Sequence, residues 1–217
     1  DGTILHYNGI TWSNLSSGTS NFLYRVWGTS SSNVFAVGDY GAILHYNGST
    51  WGNMSSGTSN FLYSIWGSSS SDVFAVGDYG TILHYNGSTW GNMSSGTSNL
   101  LYSVWGTSSS DIFAVGYDGT ILHYNGITWS NMSSDTSNFL YSIWGSSSSD
   151  VFAVGDYGTI LHYNGSTWSK MNNSIANPLY GVWGSSSSAI CAVGADGVIA
   201  HYNGITWSKM RSGTTKD

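Results

Sequence analysis

Apolar and polar residues alternate in short bursts along the whole chain, and residues 61–99 show the unit from which it is built. Leu62-Tyr63-Ser64-Ile65-Trp66 alternates with a period of two, then gives way to Gly67 and a serine run, Ser68 to Ser71. Val73-Phe74-Ala75-Val76 is apolar on both sides and closes at Gly77. After Asp78-Tyr79-Gly80 comes Thr81-Ile82-Leu83-His84-Tyr85, and after Asn86-Gly87-Ser88-Thr89 comes Trp90-Gly91-Asn92-Met93. Alternation predicts a half-buried strand, and a short continuous apolar run predicts a strand covered on both faces. Asn-Gly between two such runs predicts a type I′ hairpin, whose central residues both need positive φ. The unit reads as four strands joined by three tight turns, followed by a polar link from Ser94 to Asn99.

The unit recurs every 39 residues. His-Tyr-Asn-Gly begins at His6, His45, His84, His123, His162 and His201, and tryptophan keeps step at Trp27, Trp66, Trp105, Trp144 and Trp183. Four strands in a tandem repeat of about 40 residues predict an all-β fold, a β-propeller of four-stranded antiparallel blades. A single domain over 1–217 is expected, with an N-terminal half-blade at 1–21 and blades near 22–60, 61–99, 100–138, 139–177 and 178–217.

The first-strand motif occurs five times and the third-to-fourth-strand hairpin six times. The favoured count is five blades that each use their own strands, leaving the first hairpin surplus. Such a hairpin would expose an edge and invite a second copy of the chain to pair with it, giving a homo-oligomer. The first hairpin could instead complete the pair Leu179 to Val193, leaving 198–217 surplus. A six-bladed ring lacking the first two strands is the third arrangement.

Composition narrows the function. Charged residues make up 7% of the 217, Glu and Gln are absent, and the net charge is −6. The cations are Arg25, Lys170, Lys209, Arg211 and Lys216, which form no basic stripe, so nucleic acid is excluded as a partner. No apolar run reaches the length of a membrane-spanning helix, so membrane insertion is not expected. Cys191 has no second cysteine to pair with and stands where other repeats carry Phe35, Phe74, Phe113 and Phe152, a core position. Low charge with abundant Ser, Thr, Asn and Gly suits a secreted or cell-surface protein.

The candidate chemistry is thin. The six histidines lie one per repeat, too far apart for local metal-ligand spacing, so no metal and no cofactor are expected. Each is read as a buried histidine bonded to a neighbouring blade, and Asp72, Asp111 and Asp150 as caps of the serine turns. The turns between second and third strands are the candidate ligand sites: Asp39-Tyr40, Asp78-Tyr79, Tyr117-Asp118 and Asp156-Tyr157, with Ala195-Asp196 in the last repeat. Carboxylates and aromatic rings are what glycan recognition uses, although Asp-x-Gly is also ordinary turn chemistry. With Asp the sole carboxylate type, one thiol and two arginines, the chain offers no catalytic pairing and is read as a non-enzyme.

The run from Trp66 through Asp72 to Gly77, continuing Gly80-Thr81-Ile82-Leu83-His84-Tyr85-Asn86-Gly87-Ser88-Thr89-Trp90, resembles bacterial propeller repeats of the BNR and photosystem II assembly-factor-like group. The resemblance spans the chain. Its Asp-box, Ser-x-Asp-x-Gly-x-Thr-Trp, survives only in its second half, Gly48-Ser49-Thr50-Trp51, with Tyr46 where the Asp belongs. Tectonin-type lectin propellers resemble it more weakly in their rhythm of short aromatic strands. The leading functional expectation is a multivalent, lectin-like module that binds glycans in repeated pockets between blades. The assembly-factor resemblance implies the alternative, a protein–protein scaffold. A recently amplified or engineered repeat with no selected ligand is the third reading.

Overall fold

The structure, a computed structural model, describes residues 2–210 and 212–214. Among them the strands form one two-stranded and five four-stranded antiparallel sheets. The two-stranded sheet is β1 (Ile4–Tyr7) with β2 (Trp12–Leu15). Blade 1 holds β3 (Leu23–Ser30), β4 (Asn33–Gly38), β5 (Ile43–Tyr46) and β6 (Trp51–Met54). Blade 2 holds β7 (Leu62–Ser69), β8 (Asp72–Gly77), β9 (Ile82–Tyr85) and β10 (Trp90–Met93). Blade 3 holds β11 (Leu101–Ser108), β12 (Asp111–Gly116), β13 (Ile121–Tyr124) and β14 (Trp129–Met132). Blade 4 holds β15 (Leu140–Ser147), β16 (Asp150–Gly155), β17 (Ile160–Tyr163) and β18 (Trp168–Lys170). Blade 5 holds β19 (Leu179–Ser186), β20 (Ala189–Gly194), β21 (Val198–Tyr202) and β22 (Trp207–Met210). Every blade pairs only its own consecutive strands, so the first hairpin does not complete the last blade.

Two local expectations are corrected. The serine run is not a loop: β7 continues through Gly67 to Ser69, and only Ser70 and Ser71 turn before Asp72 pairs with Ser69. The Asn-Gly turn is not type I′, because only the glycine is left-handed, Gly87 at φ 91°. Asn86 instead accepts the N–H groups of Ser88 and Thr89 at 3.0 Å on its side-chain oxygen, closing a four-residue loop.

Packing explains the apolar runs. Phe35, Val37 and Ile43 of blade 1 meet Leu62, Ile65, Val73 and Leu83 of blade 2 in one buried cluster, and the later blades repeat it. Trp27 lies over Gly67 so closely that a Cβ there would come 2.6 Å from the ring; Trp66, Trp105 and Trp144 cover Gly106, Gly145 and Gly184 in the same way. Hydrogen bonds stitch the interface too: Val104 N–H donates to Ser64 Oγ and Val182 N–H to Ser142 Oγ, both at 3.2 Å.

The first hairpin is not surplus. It sits beside blade 1 as the outer half of a sixth blade, with Gly2 against the Thr19 carbonyl as Gly41 is against Thr58 and Gly80 against Thr97. Six sheets with the first one halved fit a truncated six-bladed ring better than five blades and a spare edge. The two ends of the row do not cover each other: Trp183 is 65% exposed at one end and Trp12 68% at the other.

Candidate binding face

At one end of the blades, the turns between second and third strands meet the links between blades. In blade 2, Asp78 N–H donates to the Phe61 carbonyl and Thr81 N–H to the Asp78 carbonyl, each at 2.9 Å. Asn60, in the link, donates its amide to Thr81 Oγ1 at 2.8 Å, and Asn99 and Asn138 do the same to Thr120 and Thr159. Gly80 then lies beneath the next link at φ 67°, where a Cβ would come 2.1 Å from the Thr97 carbonyl. Turns and links therefore share one face.

The middle residue of each turn is left-handed. Tyr40, Tyr79 and Tyr157 hold φ 53° there, with 66%, 75% and 74% of their surface exposed. A side chain in that region costs about 1 kcal/mol or more. Asp118 and Asp196 occupy the same position in blades 3 and 5 at φ 54° and 56°. Three blades thus place a bulky ring in solvent at a backbone position better suited to Gly or Asn.

Behind these rings runs a second row that the turn motifs do not reveal. Tyr24, Tyr63, Tyr102, Tyr141 and Tyr180, one from each first strand, stack side by side with ring centroids 5.5, 5.8, 5.3 and 5.5 Å apart. Tyr40 meets Phe61 at 5.2 Å, and Phe61 in turn meets Tyr63 at 6.5 Å. Tyr117 and Phe139 meet at 4.4 Å, with Tyr141 6.3 Å beyond. The signal was available: a tyrosine follows the leucine of every first strand at the repeat spacing.

Carboxylates join the two rows. The Tyr24 hydroxyl donates to Asp39, and the Tyr141 hydroxyl to Asp156 Oδ1 at 3.0 Å. The bond to Asp39, with burial and that negative charge, pushes the Tyr24 pKa up to about 12. Burial, then the bond to Asp78 or Asp156, pushes Tyr63 and Tyr141 higher still, and burial raises Tyr102. Blade 3 differs because Tyr117 stands where its neighbours have Asp, and Asp118 is turned outward and exposed.

The candidate residues therefore fall into several places. Asp78, Tyr79 and Tyr117 line one cavity of about 270 Å³ together with Asn99 and Leu100. Tyr79 also borders a groove of about 600 Å³ walled by Thr58, Asn92, Ser95 and Thr97. Asp118 lies in a separate groove of about 400 Å³ with Asn131 and Asp135. Asp39 is buried with its carboxylate on Tyr24, Tyr40 leans on Phe61, and Asp156 holds Tyr141 while Tyr157 projects into solvent.

The histidines lie away from this face, toward the serine turns. His84 Nε2 bonds Asp72 Oδ1 at 2.7 Å, and His123 and His162 bond Asp111 and Asp150 at 2.8 and 2.7 Å. The bond is within one blade, not to the neighbouring blade. The ring stacks on Phe74 at 4.4 Å. Asp72 is not a turn cap either, since its second oxygen accepts from Ser68. The order Ser–Asp–His is the wrong one for a nucleophile: the serine proton is committed to the carboxylate, and the imidazole does not touch it. Among the described residues no three His, Cys, Asp or Glu side chains converge to hold a metal ion.

These features define the class: a β-propeller whose repeated units present one aromatic, acidic face. Its fold is similar to that of solved propellers. A structure of YCF48 bound to a D1 peptide superposes with a TM-score of 0.73 at 14% identity, over 97% of this chain and 73% of that one. YCF48 from Cyanidioschyzon merolae gives 0.71 at 16%, over 93% and 74%. The WD40 propeller domain of Doa1 gives 0.75 at 13%, over 91% and 70%. The resemblance read from the repeats to photosystem II assembly-factor-like propellers thus extends to the fold. No protein-family model and no curated relative matches the chain.

Proposed function

We propose that this propeller is a non-enzymatic protein-interaction module that takes a cationic, extended segment of a partner across its tyrosine and aspartate face. The observation that carries the reading is the left-handed tyrosine of three blades, held in solvent beside a carboxylate-backed row of further tyrosines. Lysine and arginine are attracted to the faces of aromatic rings and to carboxylates together, and the chain carries net charge −6 with few cations of its own. The similarly folded YCF48 has been captured with a peptide, and the alternative drawn from the repeats, an interaction scaffold, gains support from that likeness in fold.

The carbohydrate reading keeps one observation in its favour. The grooves of about 600 and 400 Å³ between blades are lined by Asn, Ser and Thr, side chains that bond hydroxyl groups. A secreted or cell-surface, bacterial setting belongs with this reading.

One experiment separates the two. Arrays of cationic, acidic and neutral peptides are read against a glycan array with the full chain, then repeated with Tyr79→Ala and Asp78→Asn. Cationic peptides should bind with an affinity that falls as salt rises, and each variant should weaken them. Binding confined to glycans, unaffected by salt, would replace the peptide reading with the carbohydrate one.

A further inference from the structure

A second surface, separate from the binding face, is incomplete in a way that defines what fits it. In blades 1 to 5 the third strand is paired on both edges, whereas β1 pairs only with β2. Its other edge opens on a groove of about 380 Å³ against blade 1, lined by Ile4, Leu15, Val26, Val34 and Trp51. The groove is continuous with the blade-to-blade interface and lacks one half of it. Val26 is 64% exposed, whereas its counterparts Ile65, Val104, Ile143 and Val182 are 6%, 5%, 5% and 8% exposed. Gly28 has no tryptophan over it, although Gly67, Gly106, Gly145 and Gly184 each have one. Tyr85, Tyr124, Tyr163 and Tyr202 each meet a phenylalanine of the preceding blade at 5.5 to 5.9 Å, and no such ring reaches Tyr46.

We propose that this slot accepts a β-hairpin of the first-and-second-strand type that carries the repeat's own sequence. The five blades show how it would seat. In blade 2 the second strand pairs Val73 with Tyr85, Phe74 with His84, Ala75 with Leu83 and Val76 with Ile82. The same register places the donor's Val, Phe, Ala and Val opposite Tyr7, His6, Leu5 and Ile4. Its tryptophan covers Gly28, its phenylalanine reaches Tyr46 and Trp51, and its aspartate meets His6 as Asp72 meets His84. Main-chain bonds along the β1 edge supply affinity, and these side-chain seats supply selectivity. Arg25, where other first strands have Ser64, Ser103, Ser142 or Gly181, borders the slot and favours an acidic donor. The segment Phe61 to Gly77, with Asp72 as its one charged residue, is one.

The probe is a labelled synthetic peptide spanning Phe61 to Gly77, titrated into the full chain by fluorescence anisotropy. Saturable one-to-one binding is expected, with slowed hydrogen exchange at Ile4 to Tyr7. Peptides carrying Trp66→Ala or Phe74→Ala should bind at least tenfold more weakly. Val26→Asp in the full chain alters an exposed side chain, should leave the melting temperature of the free protein unchanged, and should abolish binding. A scrambled peptide that binds as well, binding that survives Val26→Asp, or unprotected β1 amides would each overturn the assignment. None of these outcomes bears on peptide or glycan binding at the other face, so the two readings fail separately.

Discussion

The tyrosine at the middle of the Asp-Tyr-Gly turn shows how a single residue can work against the stability of its own fold. At φ 53°, Tyr79 sits where the backbone favours Gly or Asn, and its ring gains little burial in return, being 75% exposed. Tyr79→Asn is expected to raise unfolding stability by about 0.5–1 kcal/mol, read from the denaturant midpoint, while weakening ligand binding. A destabilised variant would instead make the ring structural. The tyrosines behind it titrate late because burial and carboxylate partners disfavour the phenolate. The folded chain holds these protons after the unfolded chain has released them near pH 10, so their stabilisation is intact below pH 10 and is lost as pH rises above it. Phenolate absorbance against pH should show a late-titrating group. Tyr24→Phe should shrink the late group and reduce the loss of stability above pH 10.

Each blade depends on a set of bonds that the linear sequence displays without explaining. The 39-residue period, the four strands and the alternation were all legible, because side chains on covered strands must be apolar at fixed spacing. The histidines and aspartates were legible as positions but not as partners. His84 and Asp72 are twelve residues apart and meet only because β8 and β9 pair in one register. The tyrosine row was missed for a similar reason: its members lie 39 residues apart and become neighbours only once blades stack. The serine run misled, since polar composition reads as loop although Ser68 and Ser69 belong to β7. Removing the shared carboxylate tests this level. Asp72→Ala leaves the half-buried His84 ring and Ser68 without their partner and should cost about 1–3 kcal/mol by equilibrium unfolding. In blade 1 the partner is Asn33, 3.2 Å from His45, and burial holds His45 below its ordinary pKa. Its contribution is therefore present above about pH 6.5 and lost as pH falls below that value. Asn33→Asp should raise the His45 pKa, a shift that proton NMR of the ring resolves.

The whole molecule is a row of equivalent units, and its stability should depend on position in the row more than on residue identity. Each internal blade is covered on both faces by neighbours, whereas the last blade leaves Trp183, Cys191 and Val193 uncovered on its outer face. In such a row the free energy is close to a sum of unit and nearest-neighbour terms, so a unit with one neighbour opens before units with two. Cys191 stands where Phe152 stands one repeat earlier, and the contrast between them isolates the neighbour term. Phe152 is 1% exposed and packs on Tyr202 and Trp207 of blade 5, so Phe152→Cys should cost about 3–5 kcal/mol, as large-to-small core changes do. Cys191→Phe restores the repeat's usual residue, yet at this exposed position it should change stability by less than about 0.5 kcal/mol. Hydrogen exchange gives the same gradient a second reading, with the amides of β12 and β16 exchanging more slowly than those of β20. Equal protection across the blades, or a Cys191→Phe variant much more stable than the parent chain, would mean that the outer face of blade 5 is covered in solution.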